Sequence, residues 1–230
     1  MKNLLAATLL STTAAVASAQ TTPPPAGVLS LSAQAVTEVP TDVVHLTLAA
    51  EQEGAEPSAI SSALSTRTQA VLAQAKRTSG VEAQSGGFTI HPNTDRNGRI
   101  STWRGHAEVI LKSKDFAAVS KLAGELASQM QVQHIAFSLS REARQAVETK
   151  LADQAVAAFR DKAQGTTKLF GYGSYTIREV SLDESGGTMP PMPRMYAAKA
   201  MSADAGAPIP VEGGKTQVTV SVHGSVQMLK

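Results

Sequence analysis

Segments in which apolar and polar residues alternate follow one another in pairs along this chain, and single helical segments separate the pairs. Val44, Leu46 and Leu48, for example, fall on one side of an extended backbone, with more polar residues between them. Such alternation is typical of strands that bury one face of a sheet. Paired strands with single helices between the pairs predict an α+β fold, with a largely antiparallel sheet and helices on one face.

The predicted order of elements is β-β-α-β-β-α-β-α-β-loop-β. Turn-forming residues bound the strands, and the densest turn is the run Pro92-Asn93-Thr94-Asp95-Arg96-Asn97-Gly98. The predicted strands cover residues 28–35, 43–51, 82–91, 100–112, 132–139, 172–182 and 217–228.

Three segments carry apolar residues at helical spacing and have a polar opposite side. The first covers residues 57–76. The second begins after Ser113 or Asp115 and the third after Ser140, because side-chain oxygens of these types cap the first turn of a helix. Gly165 is expected to end or weaken the third helix, since glycine is unfavourable within helices.

The first 19 residues have the pattern of a cleavable signal peptide. Lys2 gives a positive start, an apolar run continues to Val16, and small residues at 17–19 suit a signal peptidase, so cleavage is expected before Gln20. The alternative is an N-terminal membrane anchor, but spanning a bilayer takes about 20 predominantly apolar residues. No cysteine follows the small residues, so a lipoprotein anchor is not expected.

The sequence after the signal peptide predicts one domain over residues 28–230, preceded by a proline-rich tether at 20–27. Residues 185–214 are rich in Pro, Gly, Ala and Met and are expected to form a long loop. No later segment is expected to cross a membrane. The formal charge is only +2 at pH 7, so nucleic acid is not an expected partner.

The residues that carry chemistry form no catalytic motif, so we expect a protein that is not an enzyme and needs no cofactor. The chain has no cysteine, which removes thiol catalysis and thiolate metal sites, and it has no Gly-x-Ser-x-Gly motif. His91 and His106 could meet across a hairpin, where they could hold a metal or, beside an acid, serve an unrecognised hydrolase. No third ligand accompanies them, and surface histidines are the simpler interpretation.

Met189, Met192 and Met195 stand three residues apart within the predicted loop. Thioether sulfur is a soft ligand that suits Cu(I), so these residues are a candidate metal site. Alternatively, the methionines dock on the domain or on a neighbour, or consume oxidants by forming sulfoxides.

Several stretches, in order along the chain, resemble the SIMPL-domain family of exported bacterial proteins, a domain of unknown function. The resemblance covers about residues 28–226. The stretches that carry it are Val39-Pro40-Thr41-Asp42, Gly80-Val81, Phe88-Thr89-Ile90-His91-Pro92, Lys114-Asp115-Phe116, Ile135-Ala136-Phe137-Ser138-Leu139-Ser140, residues 155–163 and residues 207–213.

This resemblance implies an α+β domain in the periplasm, with no established enzyme activity and a tendency to self-associate. Some members of the family are called periplasmic oxidative-stress defence proteins, and one is an outer-membrane-associated immunogen. The expected function is therefore that of a non-enzymatic, soluble envelope protein, in the periplasm or peripheral to the outer membrane. It would form a homo-oligomer or bind other envelope proteins, with a role in oxidative-stress defence.

Overall fold

A computed structural model describes residues 27–183 and 211–230. The predicted signal peptide, most of the tether and most of the predicted loop lie outside these residues. The elements are β1 (Val28–Pro40), β2 (Val43–Gly54), α1 (Pro57–Ala75), β3 (Val81–Thr94), β4 (Ile100–Ser113), α2 (Phe116–Leu126), β5 (Gln131–Ser138), α3 (Arg141–Leu169), β6 (Ser174–Asp183) and β7 (Lys215–Leu229).

The seven strands form two antiparallel sheets, with orders β1-β7-β6 and β3-β4-β2-β5. The predicted α+β class, the antiparallel pairing and the order of elements are confirmed. The division into two sheets was not predicted, because alternation shows which residues share a face of a strand but not which strands are neighbours.

The four-stranded sheet buries one face beneath α1 and α2. Its apolar positions form one core with the helices, and this core consists of Val44, Leu46, Leu48, Ala50, Ile60, Leu64, Val71, Ala75, Ala107, Val109, Leu111, Val119, Leu122, Ala123, Leu126 and Met130. Gly105 of β4 lets α1 approach closely, since a Cβ atom there would overlap Ile60 and lie 2.7 Å from Leu64 Cδ1. The opposite face of this sheet is polar and faces outward.

The three-stranded sheet buries one face beneath α3. The buried residues of this second core are Leu139, Leu151, Ala155, Phe159, Ala163, Val218, Val220, Val222 and Val226. The helix packs mainly on β1 and β7, and less on β6. Strands β1 and β6 are the two edges of this sheet, and the apolar side chains of β6 are only partly covered.

Helix α3 continues through Gly165 to Leu169, so of the two alternatives predicted for Gly165, that it ends the helix was wrong. Ala163 and Thr167, on either side of the glycine, are both fully buried against the sheet. Tertiary packing of this kind outweighs the cost of one glycine, about 1 kcal/mol. Within the described ranges, the helices are too short or too polar for any of them to cross a membrane.

We expect Phe159→Ala to lower the free energy of unfolding by about 3–5 kcal/mol, because removal of a buried ring leaves a cavity in the second core. Phe159 is 1% exposed, whereas Phe170, just after α3, is 63% exposed. Urea unfolding followed by circular dichroism measures the change. Phe170→Ala is the control, and its expected effect is below about 0.5 kcal/mol. Equal losses in the two variants would contradict this account of the core.

Candidate functional site

A polar cleft of about 750 Å³ lies at the end of the four-stranded sheet where α2 and α3 begin. Strands β2, β3, β4 and β5, the N-cap of α2 and the first turn of α3 line it. Its polar side chains include His45, Lys112, Lys114, Ser138 and Arg141. Cationic and acidic groups alternate around its rim, so the cleft as a whole does not carry one sign of charge.

Asp42 joins the turn between β1 and β2 to the start of α3. Its Oδ1 accepts a hydrogen bond from the Ser140 backbone N–H at 2.5 Å, and its Oδ2 accepts one from Ser140 Oγ at 2.6 Å. Ser140 also caps α3, because its Oγ accepts from the Ala143 N–H at 3.3 Å. The Ser140 cap agrees with the sequence prediction. The hydrogen bonds from Ser140 to Asp42 additionally hold the start of the helix against the turn between β1 and β2.

The neighbours of the Asp42 carboxylate favour its charged form. Partial burial alone would raise the pKa of Asp42, but the hydrogen bonds from Ser140 and the charge of Lys114 outweigh it and lower the pKa. Lys114 Nζ lies 4.0 Å from Asp42 Oδ2 and 3.2 Å from Glu142 Oε2. Asp42 is therefore ionised at neutral pH and acts as a structural acceptor rather than as a proton donor.

His45, on the outward side of β2, lies beside Ser138 of β5. His45 Nε2 and Ser138 Oγ are 2.9 Å apart and share a hydrogen bond. Burial of the ring lowers the pKa of His45, the charge of Lys112 lowers it further, and Glu82 opposes the change. The imidazole is therefore neutral at pH 7. No carboxylate among the described residues hydrogen-bonds to its other nitrogen, so this pair lacks the orienting acid of a triad.

A second histidine lies between two acids on the outward face of β4. His106 Nε2 donates to Glu108 Oε1 at 3.0 Å, and Nδ1 is 4.0 Å from Glu51 Oε1. The hydrogen bond from His106, followed by one from the Gly87 backbone, lowers the pKa of Glu108. This arrangement is a hydrogen-bonded polar cluster on the outward face of the sheet.

The suggested meeting of His91 and His106 does not take the form of a cross-strand pair. In the ladder between β3 and β4, His91 is opposite Arg104, and His106 is opposite Thr89. The two histidines are therefore diagonal neighbours, and such positions are about 7–8 Å apart. In residues 27–183 and 211–230, no group of three or more His, Asp or Glu residues is arranged to hold a metal ion.

The open edge strand β6 carries an apolar strip made of Ile177, Val180 and Leu182. These side chains are 46%, 52% and 43% exposed. Each is opposite a β7 residue on the side of the sheet that α3 covers: Val226, Gly224 and Val222. The strip therefore points to the same side as the second core, but α3 does not extend far enough across the sheet to bury it.

Comparison with known protein families decides the affiliation of the chain. The family model SIMPL, described as a protein of unknown function (DUF541), matches residues 29–226. The chain belongs to the SIMPL family. No curated protein matches the chain. The match covers both sheets and all three helices, so the two-sheet architecture lies within the SIMPL domain.

The described part of this SIMPL protein brings together residues that the sequence analysis did not pair. His45 and Ser138 are far apart along the chain, and alternation placed His45 only on the more polar side of β2. The apolar strip was part of a predicted strand, but its exposure depends on the position of α3. The candidate Cu(I) ligands Met189, Met192 and Met195 lie outside the described residues.

We expect Asp42→Asn to lower the free energy of unfolding at pH 7 by about 1–2 kcal/mol, because a neutral amide accepts the two Ser140 hydrogen bonds more weakly and solvent screens the charge. The lowered folded-state pKa means that the carboxylate stabilises the fold fully above the unfolded-state pKa of about 3.9. This stabilisation is lost as the pH falls through the folded-state value.

Urea unfolding of both proteins between pH 7 and pH 3 checks this expectation, and the difference between them should shrink below about pH 4. Asp153→Asn, on the exposed side of α3, is the matched control. A difference that stays constant down to pH 3 would show that the Asp42 carboxylate charge is not responsible.

Proposed function

We propose that this SIMPL protein is a non-enzymatic protein of the cell envelope that acts by binding other protein surfaces, first of all a second copy of itself. The observation that carries the proposal is the apolar strip on β6. An apolar strip beside the unpaired backbone groups of an edge strand is a surface on which another chain can bury area and form hydrogen bonds.

The residues around the strip support the interpretation of the strip as a binding surface. Val156, on the neighbouring side of α3, is also 36% exposed and extends the apolar surface toward the helix. Tyr175, at the start of the strand, fixes the helix position because its hydroxyl donates to the Arg160 carbonyl at 3.4 Å. The surface is therefore built on two elements that are held together.

The envelope location and the role in oxidative-stress defence belong to this proposal. Their support is the signal-peptide pattern of residues 1–19 and the resemblance of the sequence to exported SIMPL proteins. The methionines at 189, 192 and 195 would add sulfur groups that react with oxidants.

We expect Val180→Lys to weaken self-association at least about tenfold, because a charged ammonium group would have to lose water within an apolar contact. Size-exclusion chromatography with light scattering, over a range of protein concentrations, measures the mass of the particle. Val36→Lys is the control: Val36 is 42% exposed, but it lies on the outward face of β1. A strictly monomeric wild-type protein at all concentrations would overturn the proposal of self-association.

A hydrolase is the second candidate, and its best-placed residues are His45 and Ser138 rather than His91 and His106. The neutral imidazole within hydrogen-bonding distance of a serine hydroxyl favours it. A fluorophosphonate probe distinguishes the two candidates. Under the non-enzymatic proposal, we expect labelling of the wild type to equal that of Ser138→Ala. Labelling that is lost in both Ser138→Ala and His45→Gln would support the hydrolase.

A further inference from the structure

We propose that two copies of this chain pair through their β6 strands, antiparallel and centred on the bulge at Arg178, to form one continuous six-stranded sheet. The inference rests on the proposed self-association and specifies its surface, symmetry and register. In such a sheet the order of strands is β1-β7-β6 followed by the same three strands of the partner in reverse.

The two edges of the three-stranded sheet differ in their protection. On the β1 edge, Lys162 of α3 donates from Nζ to the backbone carbonyl of Ser32 at 2.8 Å. This lysine occupies a carbonyl oxygen that another strand would need, and lysine on an edge is a common protection against pairing. Strand β6 contains no lysine, and among the described residues no side chain donates to its backbone carbonyls. Within residues 27–183 and 211–230, the β6 edge is therefore the one open to a partner.

The bulge in β6 makes the strand symmetric about its middle. Ile177 pairs with Val226 and Glu179 with Ser225, so Arg178 is the extra residue without a partner in β7. When the bulge is counted as one position, Tyr175 and Ile177 precede it on the α3 side of the sheet. Val180 and Leu182 follow it on that same side. They lie as far after the bulge as Ile177 and Tyr175, respectively, lie before it.

Antiparallel pairing about the bulge therefore places like side chains together. Ile177 meets the partner's Val180, and Tyr175 meets the partner's Leu182, all on the α3 side. Arg178 meets the partner's Glu179, which gives one ion pair in each half of a two-fold symmetric contact. Neither residue of this pair forms an ion pair within the part of the chain that the structure describes.

Gly224 of β7 keeps the bulge in place. A Cβ atom at this position would overlap the backbone oxygen of Glu179 and lie 3.2 Å from Val180 Cα. A bulge usually discourages edge pairing. Here it is compatible with the proposed register, in which the apolar side chains of both strands share one face, whereas a shift by one residue would place those of the two copies on opposite faces.

Cysteine cross-linking tests the register, since the chain has no cysteine of its own. Thr176 and Ser181 are exposed on the outward side and lie opposite each other across the proposed contact. We expect the double variant Thr176→Cys/Ser181→Cys to form a covalent dimer on mild oxidation, and the two single variants to remain unlinked. In the single variants, the two thiols would be separated by about four residues, roughly 13 Å, which a disulfide cannot bridge.

Charge reversal tests the pairing of Arg178 with the partner's Glu179. We expect Arg178→Glu and Glu179→Arg each to weaken dimerisation about tenfold, since each places like charges opposite one another. The double variant Arg178→Glu/Glu179→Arg restores opposite charges and should bring the dimerisation constant back to within about threefold of the wild type. Light scattering and analytical ultracentrifugation measure these constants.

The outcomes separate this inference from the broader proposal. A wild-type protein that is monomeric overturns both. A wild-type oligomer in which the double cysteine variant does not cross-link, or in which the double charge reversal is no better than the single ones, overturns the β6 contact alone. Cross-linking of a single cysteine variant would show a different register and also overturn it.

Discussion

Strand β7 determines whether the three-stranded sheet exists, because β1 and β6 have no other partner in it. It lies between these two strands and pairs with both in antiparallel register. Its inward valines, Val218, Val220 and Val222, are buried beneath α3. One segment near the end of the chain thus provides the hydrogen bonds of two ladders and the apolar surface on which the longest helix packs.

Strong local signals predicted the elements of this fold well. The period of two in β2 and β7, and the Ser140 cap of α3, come from interactions within a few residues, so the sequence alone contains them. The pairing of β1 with β7 joins residues that are between 175 positions (Pro40 and Lys215) and 199 positions (Val28 and Gln227) apart. Local patterns carry no information on such a pairing, and the same is true of the split into two sheets. The predicted end of α3 at Gly165 was wrong because packing of the neighbouring buried residues outweighed the low helix propensity of glycine.

The candidate surfaces were less predictable than the fold. Tyr175, Ile177 and Val180 identify a strand in the sequence, but their exposure follows from the place where α3 crosses the sheet. The contact between His45 and Ser138 likewise depends on β2 and β5 being neighbours. Sequence patterns indicate which side of a strand is apolar. They do not indicate how much of that side another element covers, and the exposed remainder is the surface that we propose for binding.

The two sheets also differ in when they can form during synthesis. The four-stranded sheet and its two helices use a contiguous stretch of chain, residues 43–138, so nascent polypeptide can complete this half early. The other half must wait for β7. Until that last strand has emerged, β1 and β6 lack the strand that pairs with both, and the buried side of α3 is only partly covered. A ribosome that stalls, or a protease that removes the final segment, would therefore leave a partly folded chain with exposed apolar surface. Chaperones and quality-control proteases recognise such surfaces.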